Sequence, residues 1–265
     1  MVRLLLDEGF GLTLTDIVSG KTDELPASDK ERLSIMADRL QKGEPVQYVL
    51  ERSDFCGRTF HVEPGVLIPR PETEELCRMI VSEYNKPYCA LQPPVPLQVL
   101  DVGTGSGCIA VTLALDLRNA EVSGWDISSE ALLIARGNAK AMGASVNLMY
   151  QDALNAPEDV GRWDIIVSNP PYIAEHERED MSLHVLNHEP RQALFVPDND
   201  PLLFYRAIAV YAKRALKHDG KLFFEINPLF VKAMRRMLTQ EGFKAITFAE
   251  DTFGKVRFCH CKVST

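Results

Sequence analysis

Long apolar runs are missing from this 265-residue sequence: no stretch approaches the about 18 consecutive apolar residues of a membrane helix. The apolar start, Met1-Val2-Arg3-Leu4-Leu5-Leu6-Asp7, is too short for a signal peptide. A C-x-x-C pair is missing too. The six cysteines, Cys56, Cys77, Cys89, Cys108, Cys259 and Cys261, are scattered. Cys259-His260-Cys261 sits in an alternating, strand-like run with no second ligand pair elsewhere, so it reads as a buried edge of the core rather than a metal site. Free thiols without an export signal point to the cytoplasm. Positive charge is in deficit, with a formal net charge of -8, which argues against a broad nucleic-acid footprint and for a protein or small-molecule substrate. The expectation is a chain with no metal, no membrane partner and no direct nucleic-acid contact. Its 46% apolar content is enough to bury a sizeable core.

Residues 1–44 read as a small helical unit that opens inside an apolar run with no cap ahead of it, as though a first element were shortened. Ser28-Asp29-Lys30-Glu31 fits a capping box, Leu33, Met36 and Leu40 form one stripe, and Gly43 is a stop. Between Phe55 and Ile68 the pattern alternates, with Phe60 and Val62 on one face and Glu63-Pro64-Gly65 as the turn before Val66-Leu67-Ile68, which predicts a β-hairpin. Pro69-Arg70-Pro71-Glu72-Thr73-Glu74-Glu75 then leads into a helix. Residues 85–97 contain Pro87, Pro93, Pro94 and Pro96 and read as a stiff linker. The expected units are a helical one over 1–50, hairpin, helix and linker over 51–97, and a larger α/β domain over 98–265. Within the last, strands are expected over 98–102, 121–126, 145–150, 163–168, 220–226, 243–249 and 255–262, and helices over 106–118, 128–142, 201–218 and 228–241. Such alternation implies a seven-stranded, mostly parallel Rossmann-like sheet; the last two strands have no helix between them, so at least one runs antiparallel.

The stretch Ser168-Asn169-Pro170-Pro171-Tyr172 follows the apolar run Trp163-Asp164-Ile165-Ile166-Val167, and two consecutive prolines cannot continue a central strand. The prolines carry no N–H and push Asn169 and Pro170 toward extended conformations, so the loop offers oxygens with few competing donors. The Asn169 side-chain oxygen and the Pro170 carbonyl can accept both hydrogens of a planar NH2 group, and Tyr172 adds a flat wall. Two aligned acceptors hold a weakly nucleophilic amide or aromatic amine while positive charge develops on its nitrogen. A plain turn would also use Asn and Pro.

Upstream, Val99-Leu100-Asp101-Val102-Gly103-Thr104-Gly105-Ser106-Gly107-Cys108 reads as a strand, a glycine loop and a helix start. A third glycine of the dinucleotide fingerprint would fall at Cys108, and a phosphate loop would need Gly-Lys-Ser/Thr. Lys, Arg and His are all absent between Gln98 and Leu117, while Asp101 places a carboxylate before the turn, which suits an ammonium or sulfonium ligand rather than a pyrophosphate. Asp126 ends the next strand, where an acid binding ribose hydroxyls is expected; its bland role is to cap the helix that Ser128 can cap itself. Asp152 can accept from an adenine amino group. A nucleoside with a cationic amino-acid tail is S-adenosyl-L-methionine.

With these residues in view, the sequence resembles the class I methyltransferases, and closely the HemK/PrmC-type enzymes that methylate the side-chain amide of glutamine in peptide chain release factors. The resemblance rests on Ile68-Pro69-Arg70-Pro71-Glu72-Thr73-Glu74, on Asp101 to Gly107, on Asn169 to Tyr172, on Glu189-Pro190 to Leu194, and on the helical unit joined by a hairpin. It implies that Gly103, Thr104, Gly105, Ser106, Gly107 and Asp126, with Asp152, Ala153 and Asn169, bind S-adenosyl-L-methionine, leaving S-adenosyl-L-homocysteine as product. It implies that Asn169, Pro170, Pro171 and Tyr172 hold the glutamine, with Asn169, Pro170 and Tyr172 as the catalytic set, and that the helical unit docks the release factor. Arg70 and Glu72 are lid candidates by resemblance; a charge-paired helix entrance is their simpler role. A tryptophan often follows the adenine acid in this family, but here the position is Ala153. The competing functions are a DNA adenine N6-methyltransferase and a binding module that has kept only the fold.

Overall fold

The computed structural model describes residues 2–85 and 95–263. The proline-dense stretch with Pro87, Pro93 and Pro94, and Cys89, lie outside the described residues, and Pro96 stands just before the first strand of the main sheet.

Four helices open the chain: α1 (Val2–Phe10), α2 (Leu14–Val18), α3 (Ala27–Gln41) and α4 (Val46–Leu50). Leu33, Met36 and Leu40 of α3 face Leu5, Val49 and Leu50, so the stripe expected from sequence is the seam of this unit. The helix starts two residues earlier than the capping box implied. Pro26, at φ -53, holds the N-cap position, and Ser28 lies inside the first turn. Gly43, at φ 86, lies just beyond the helix end, as expected.

The hairpin is also displaced. Its strands are β1 (Arg52–Phe55) and β2 (Arg58–His61), and the turn falls at Cys56 and Gly57, with φ 49 and 71. Glu63-Pro64-Gly65 does turn, but Val66-Leu67-Ile68 continues as loop, not as a second strand. Phe55 and Phe60 pack edge to face, 5.9 Å between centroids, and drive the hairpin into the core beside α5 (Pro71–Tyr84).

The main sheet contains β3 (Leu97–Val102), β4 (Ala120–Asp126), β5 (Val146–Tyr150), β6 (Trp163–Ser168), β9 (Leu216–Glu225), β10 (Phe243–Glu250) and β11 (Val256–Val263). The helices between them are α6 (Cys108–Asp116), α7 (Ser129–Ala141), α10 (Leu203–Ala215) and α11 (Val231–Gln240). Between β6 and α10 the chain forms the short elements β7 (Ile173–Ala174), α8 (Leu183–His188), α9 (Arg191–Leu194) and β8 (Phe195–Val196). Strand order is β10-β11-β9-β6-β3-β4-β5, parallel except for β11, which runs antiparallel to both neighbours.

Alternation along each central strand builds two cores. Leu100, Val102, Ile166, Leu222 and Phe224 meet α10 and α11, whereas Val99, Ile165, Val167 and Phe223 meet α5, α6 and the hairpin. Cys259 and Cys261 are fully buried in the core, as expected, on the α10/α11 face of β11, which is an interior strand of the sheet.

From β3 the chain winds outward through β4 and β5, then returns to β6 on the other side. The crevice between the carboxyl ends of β3 and β6 is therefore the place where a doubly wound sheet receives ligands.

Candidate active site

A cavity of about 270 Å³ opens at this crevice, near the lower end of the range for small-molecule sites. Its floor comes from the strand ends: Gly103 and Gly105 after β3, Asp126 to Ser128 after β4, Asp152 and Ala153 after β5, and Ser168 to Pro171 after β6. Gly65 to Leu67 and Gln192-Ala193 form two walls, and Leu154, Phe204 and Ile208 an apolar end.

The glycine loop divides its work. Gly103 and Gly105 line the cavity at φ 77 and 55, whereas Thr104, Ser106 and Gly107 are turned into the protein. Thr104 Oγ1 donates to Asp101 Oδ2 at 2.7 Å. Gly107, at φ 82, is the N-cap of α6, and a Cβ there would stand 3.1 Å from Ala135 Cβ, so its role is the packing of α6 on α7. Helix α6 thus starts two residues later than its apolar pattern suggested.

Asp101 is absent from the cavity lining. It is fully buried, and burial pushes its carboxyl up to about 7. Its Oδ2 also accepts from the Ala110 N–H at 3.2 Å, while Oδ1 has no hydrogen-bond partner.

Asp126 does not cap α7; Ser128 does, accepting from the Ala131 N–H at 3.2 Å. The Asp126 carboxylate accepts from the Gly105 N–H and the Ser128 N–H, both at 2.8 Å, and so fastens the glycine loop to the end of β4. Each oxygen keeps a second lone pair for a hydroxyl donor. Its carboxyl is raised above the ordinary range, chiefly by burial. Asp152 is likewise engaged, capping the turn at residues 153–155 through the Leu154 N–H at 2.8 Å and accepting from Asn155 Nδ2 at 2.6 Å. Beside Ala153, where an aromatic ring was expected, Leu154 and Phe204 present the apolar surface.

Ser168 Oγ donates to the Val102 carbonyl at 2.6 Å and ties the end of β6 to that of β3. Asn169 Nδ2 donates to Thr73 Oγ1 at 3.2 Å, and Thr73 Oγ1 donates to Glu225 Oε2 at 2.6 Å. Tyr172 is not in the cavity lining. Its hydroxyl donates to Glu225 Oε1 at 3.2 Å, its ring packs on the α10/α11 core, and its outer side borders a separate groove with Met181, Leu229 and Arg257. The structure thus brings together Gly103, Gly105, Asp126, Asp152, Ala153, Asn169, Pro170 and Pro171, and sets Thr104, Ser106, Gly107 and Tyr172 behind them.

Next in sequence to the wall residues, Arg70 of the loop before α5 meets Glu189 Oε1 at 2.5 Å, and Glu189 Oε2 accepts from the Ile68 N–H at 3.1 Å. Thr73, Glu225, Glu189 and Phe204 escaped the sequence reading as site residues. Thr73 and Glu189 lie in blocks that carry the resemblance, and Glu225 is a lone carboxylate at the end of Leu222-Phe223-Phe224.

Comparison with known proteins agrees with this geometry. Residues 89–196 match the family model described as Methyltransferase small domain, and residues 1–50 match the PrmC N-terminal domain. A T. thermophilus 16S rRNA methyltransferase in complex with AdoMet and guanosine superposes with a TM-score of 0.57 at 22% identity, covering 80% of this chain and 50% of that one. A ribosomal-protein methylase from Lactobacillus delbrueckii subsp. bulgaricus gives a TM-score of 0.51 at 21% identity, covering 77% and 83%. Fold and site together define a methyltransferase. A release factor glutamine methyltransferase of Bacteroides thetaiotaomicron is 46% identical over 96% of this chain and 88% of its own length. Those of Flavobacterium psychrophilum and Bacillus subtilis are 42% and 39% identical over 83% and 85% of this chain and 75% and 77% of theirs. The chain belongs to the release factor glutamine methyltransferase family.

Proposed function

We propose that this chain transfers a methyl group from S-adenosyl-L-methionine to the side-chain amide nitrogen of the glutamine in the Gly-Gly-Gln motif of a peptide chain release factor. The observation that carries the reading is the convergence, in one crevice, of a cation-free glycine loop, two carboxylates and the Asn169-Pro170-Pro171 corner.

The donor set fits the cofactor. Asp126 has lone pairs left for a ribose diol, and Leu154, Phe204 and Ile208 supply an apolar bed for a purine. When bound, S-adenosyl-L-methionine supplies an electrophilic methyl on a sulfonium centre.

The protein's part is to hold the acceptor. An amide nitrogen is weakly nucleophilic because its lone pair is delocalised into the carbonyl. Asn169 Oδ1 and the Pro170 carbonyl accept its two hydrogens, fix the plane of the carboxamide, and strengthen their hold as the nitrogen becomes positive. One of those protons then leaves to water, so no strong base is required. Tyr172 acts from behind, keeping the loop on Glu225. The helical unit over residues 1–50 docks the release factor, and the activity belongs in the cytoplasm.

Mass spectrometry of a release factor after incubation with the enzyme and isotopically labelled cofactor tests this. The expected result is one methyl on the glutamine of the Gly-Gly-Gln loop. Label in duplex DNA with none in the release factor would overturn it.

A further inference from the structure

The mechanism above makes no direct use of Glu225, yet the fold buries it. It is 1% exposed at the end of β9, and burial raises its carboxyl above the ordinary glutamate range. Burying a carboxylate opposes folding unless its oxygens are hydrogen-bonded. One oxygen takes the Thr73 hydroxyl at 2.6 Å and the other the Tyr172 hydroxyl at 3.2 Å. The groups come from three separate places: α5, the loop after β6, and the end of β9.

A threonine hydroxyl has one proton. Directed at Glu225, it leaves the Thr73 oxygen as an acceptor toward Asn169, which is 3.2 Å away. Only the nitrogen end of the Asn169 carboxamide can answer it. The two ends of an asparagine amide are nearly isosteric, so without such a partner the group can turn over by about 180° at little steric cost. Turned over, it would present NH2 to a substrate NH2 and bind nothing.

We infer that Thr73 and Glu225 are positioning residues: Glu225 orients the Thr73 hydroxyl, the hydroxyl orients the Asn169 amide, and Oδ1 of Asn169 is thereby aimed at the acceptor nitrogen. The inference rests on the role proposed above for Asn169. It also explains why Glu225 bonds Tyr172: one carboxylate grips the loop at both ends, through Thr73 at Asn169 and directly at Tyr172.

The test uses the full chain with 15N-labelled asparagine, the Asn169 side-chain signal being assigned by its loss in Asn169→Asp. Thr73→Val keeps the shape and removes the hydroxyl; Thr73→Ser restores it. The expected result is that Thr73→Val moves the Asn169 amide proton that faces residue 73 toward the position of a free amide, while Thr73→Ser does not. Glu225→Leu, checked for cofactor binding by calorimetry, should give the same movement. In turnover, Thr73→Val should lower kcat about tenfold, with KM for the release factor and cofactor affinity within about threefold, and Thr73→Ser should recover most of the loss. An unmoved Asn169 signal or an unchanged kcat in Thr73→Val would overturn the inference. If the signal moves as expected but wild-type enzyme leaves glutamine unmethylated, the orientation of Asn169 stands and the proposed reaction fails.

Discussion

The guanidinium of Arg70 meets the carboxylate of Glu189 at 2.5 Å across 119 positions of sequence. Glu189 also holds the Ile68 N–H, so one nearly inaccessible side chain joins the segment carrying Gly65 to Leu67 to the segment carrying Gln192 and Ala193. These are the two walls of the cavity, and the pair is a clasp between them.

Opening the clasp should release the cofactor faster. Arg70→Ala leaves the Glu189 carboxylate buried without its cation, a loss of about 1–3 kcal/mol after allowing for the partial exposure of Arg70. Calorimetry and stopped-flow should show about tenfold weaker S-adenosyl-L-methionine binding, mostly in the dissociation rate. Unaltered affinity would mean that the clasp only braces the fold.

Removing the acceptor should separate chemistry from binding. Asn169→Ala is expected to lower methyl transfer about 100-fold or more, on the scale of losing one preorganised hydrogen-bonding group, with cofactor affinity within a few-fold. Radiolabel transfer and calorimetry on the same preparation check both halves.

Two glycines of one loop should fail differently. Gly107→Ala puts a Cβ 3.1 Å from Ala135 Cβ at φ 82, so it should cost about 1–3 kcal/mol and lower Tm by several degrees. Gly105→Ala, at φ 55, meets nothing within 4 Å of the new Cβ, but it sits on the cavity lining. It should change stability less and cofactor affinity more. Thermal melts and titrations of both variants decide the point.

Asp101 should leave a mark on the pH dependence of stability. Its carboxyl is raised from 3.8 to about 7 by burial, so the folded protein holds a proton that the unfolded chain has released. That contribution is complete below the unfolded pKa and disappears as pH rises through the folded one, over a window from roughly 4 to 7. Relative to Asp101→Asn, which cannot ionise, the wild type should therefore lose stability on going from about pH 5 to pH 8, by a few kcal/mol at most. Parallel stability curves in urea would exclude the effect.

Where local pattern and tertiary packing agree, the sequence was sufficient. The run 163–168 is β6 to the residue, because Trp163-Asp164-Ile165-Ile166-Val167 is buried on both faces and the prolines end it. Where two local signals compete, it was not. Local pattern puts the hairpin turn at Glu63-Pro64-Gly65, because nothing in Cys56 itself signals that it adopts φ 49. Helix α10 stops at Ala215 because Leu216 and Trp163 are register partners in the sheet, a pairing that local periodicity cannot express. The site was legible in its loops and illegible in its supports. Nothing in the neighbourhood of Thr73 or Glu225 announces that two residues 152 positions apart share a hydrogen bond.

The antiparallel β11 has a further consequence for how the enzyme comes into being. Because it slots between β9 and β10, the strand made before it emerges with no neighbour to pair with, and β9 keeps a bare edge until residues 256–263 arrive. Glu225, opposite Phe258 in the register, gains its second strand neighbour only then. The strand end that carries Glu225 is therefore completed by the last strand of the sheet to be made.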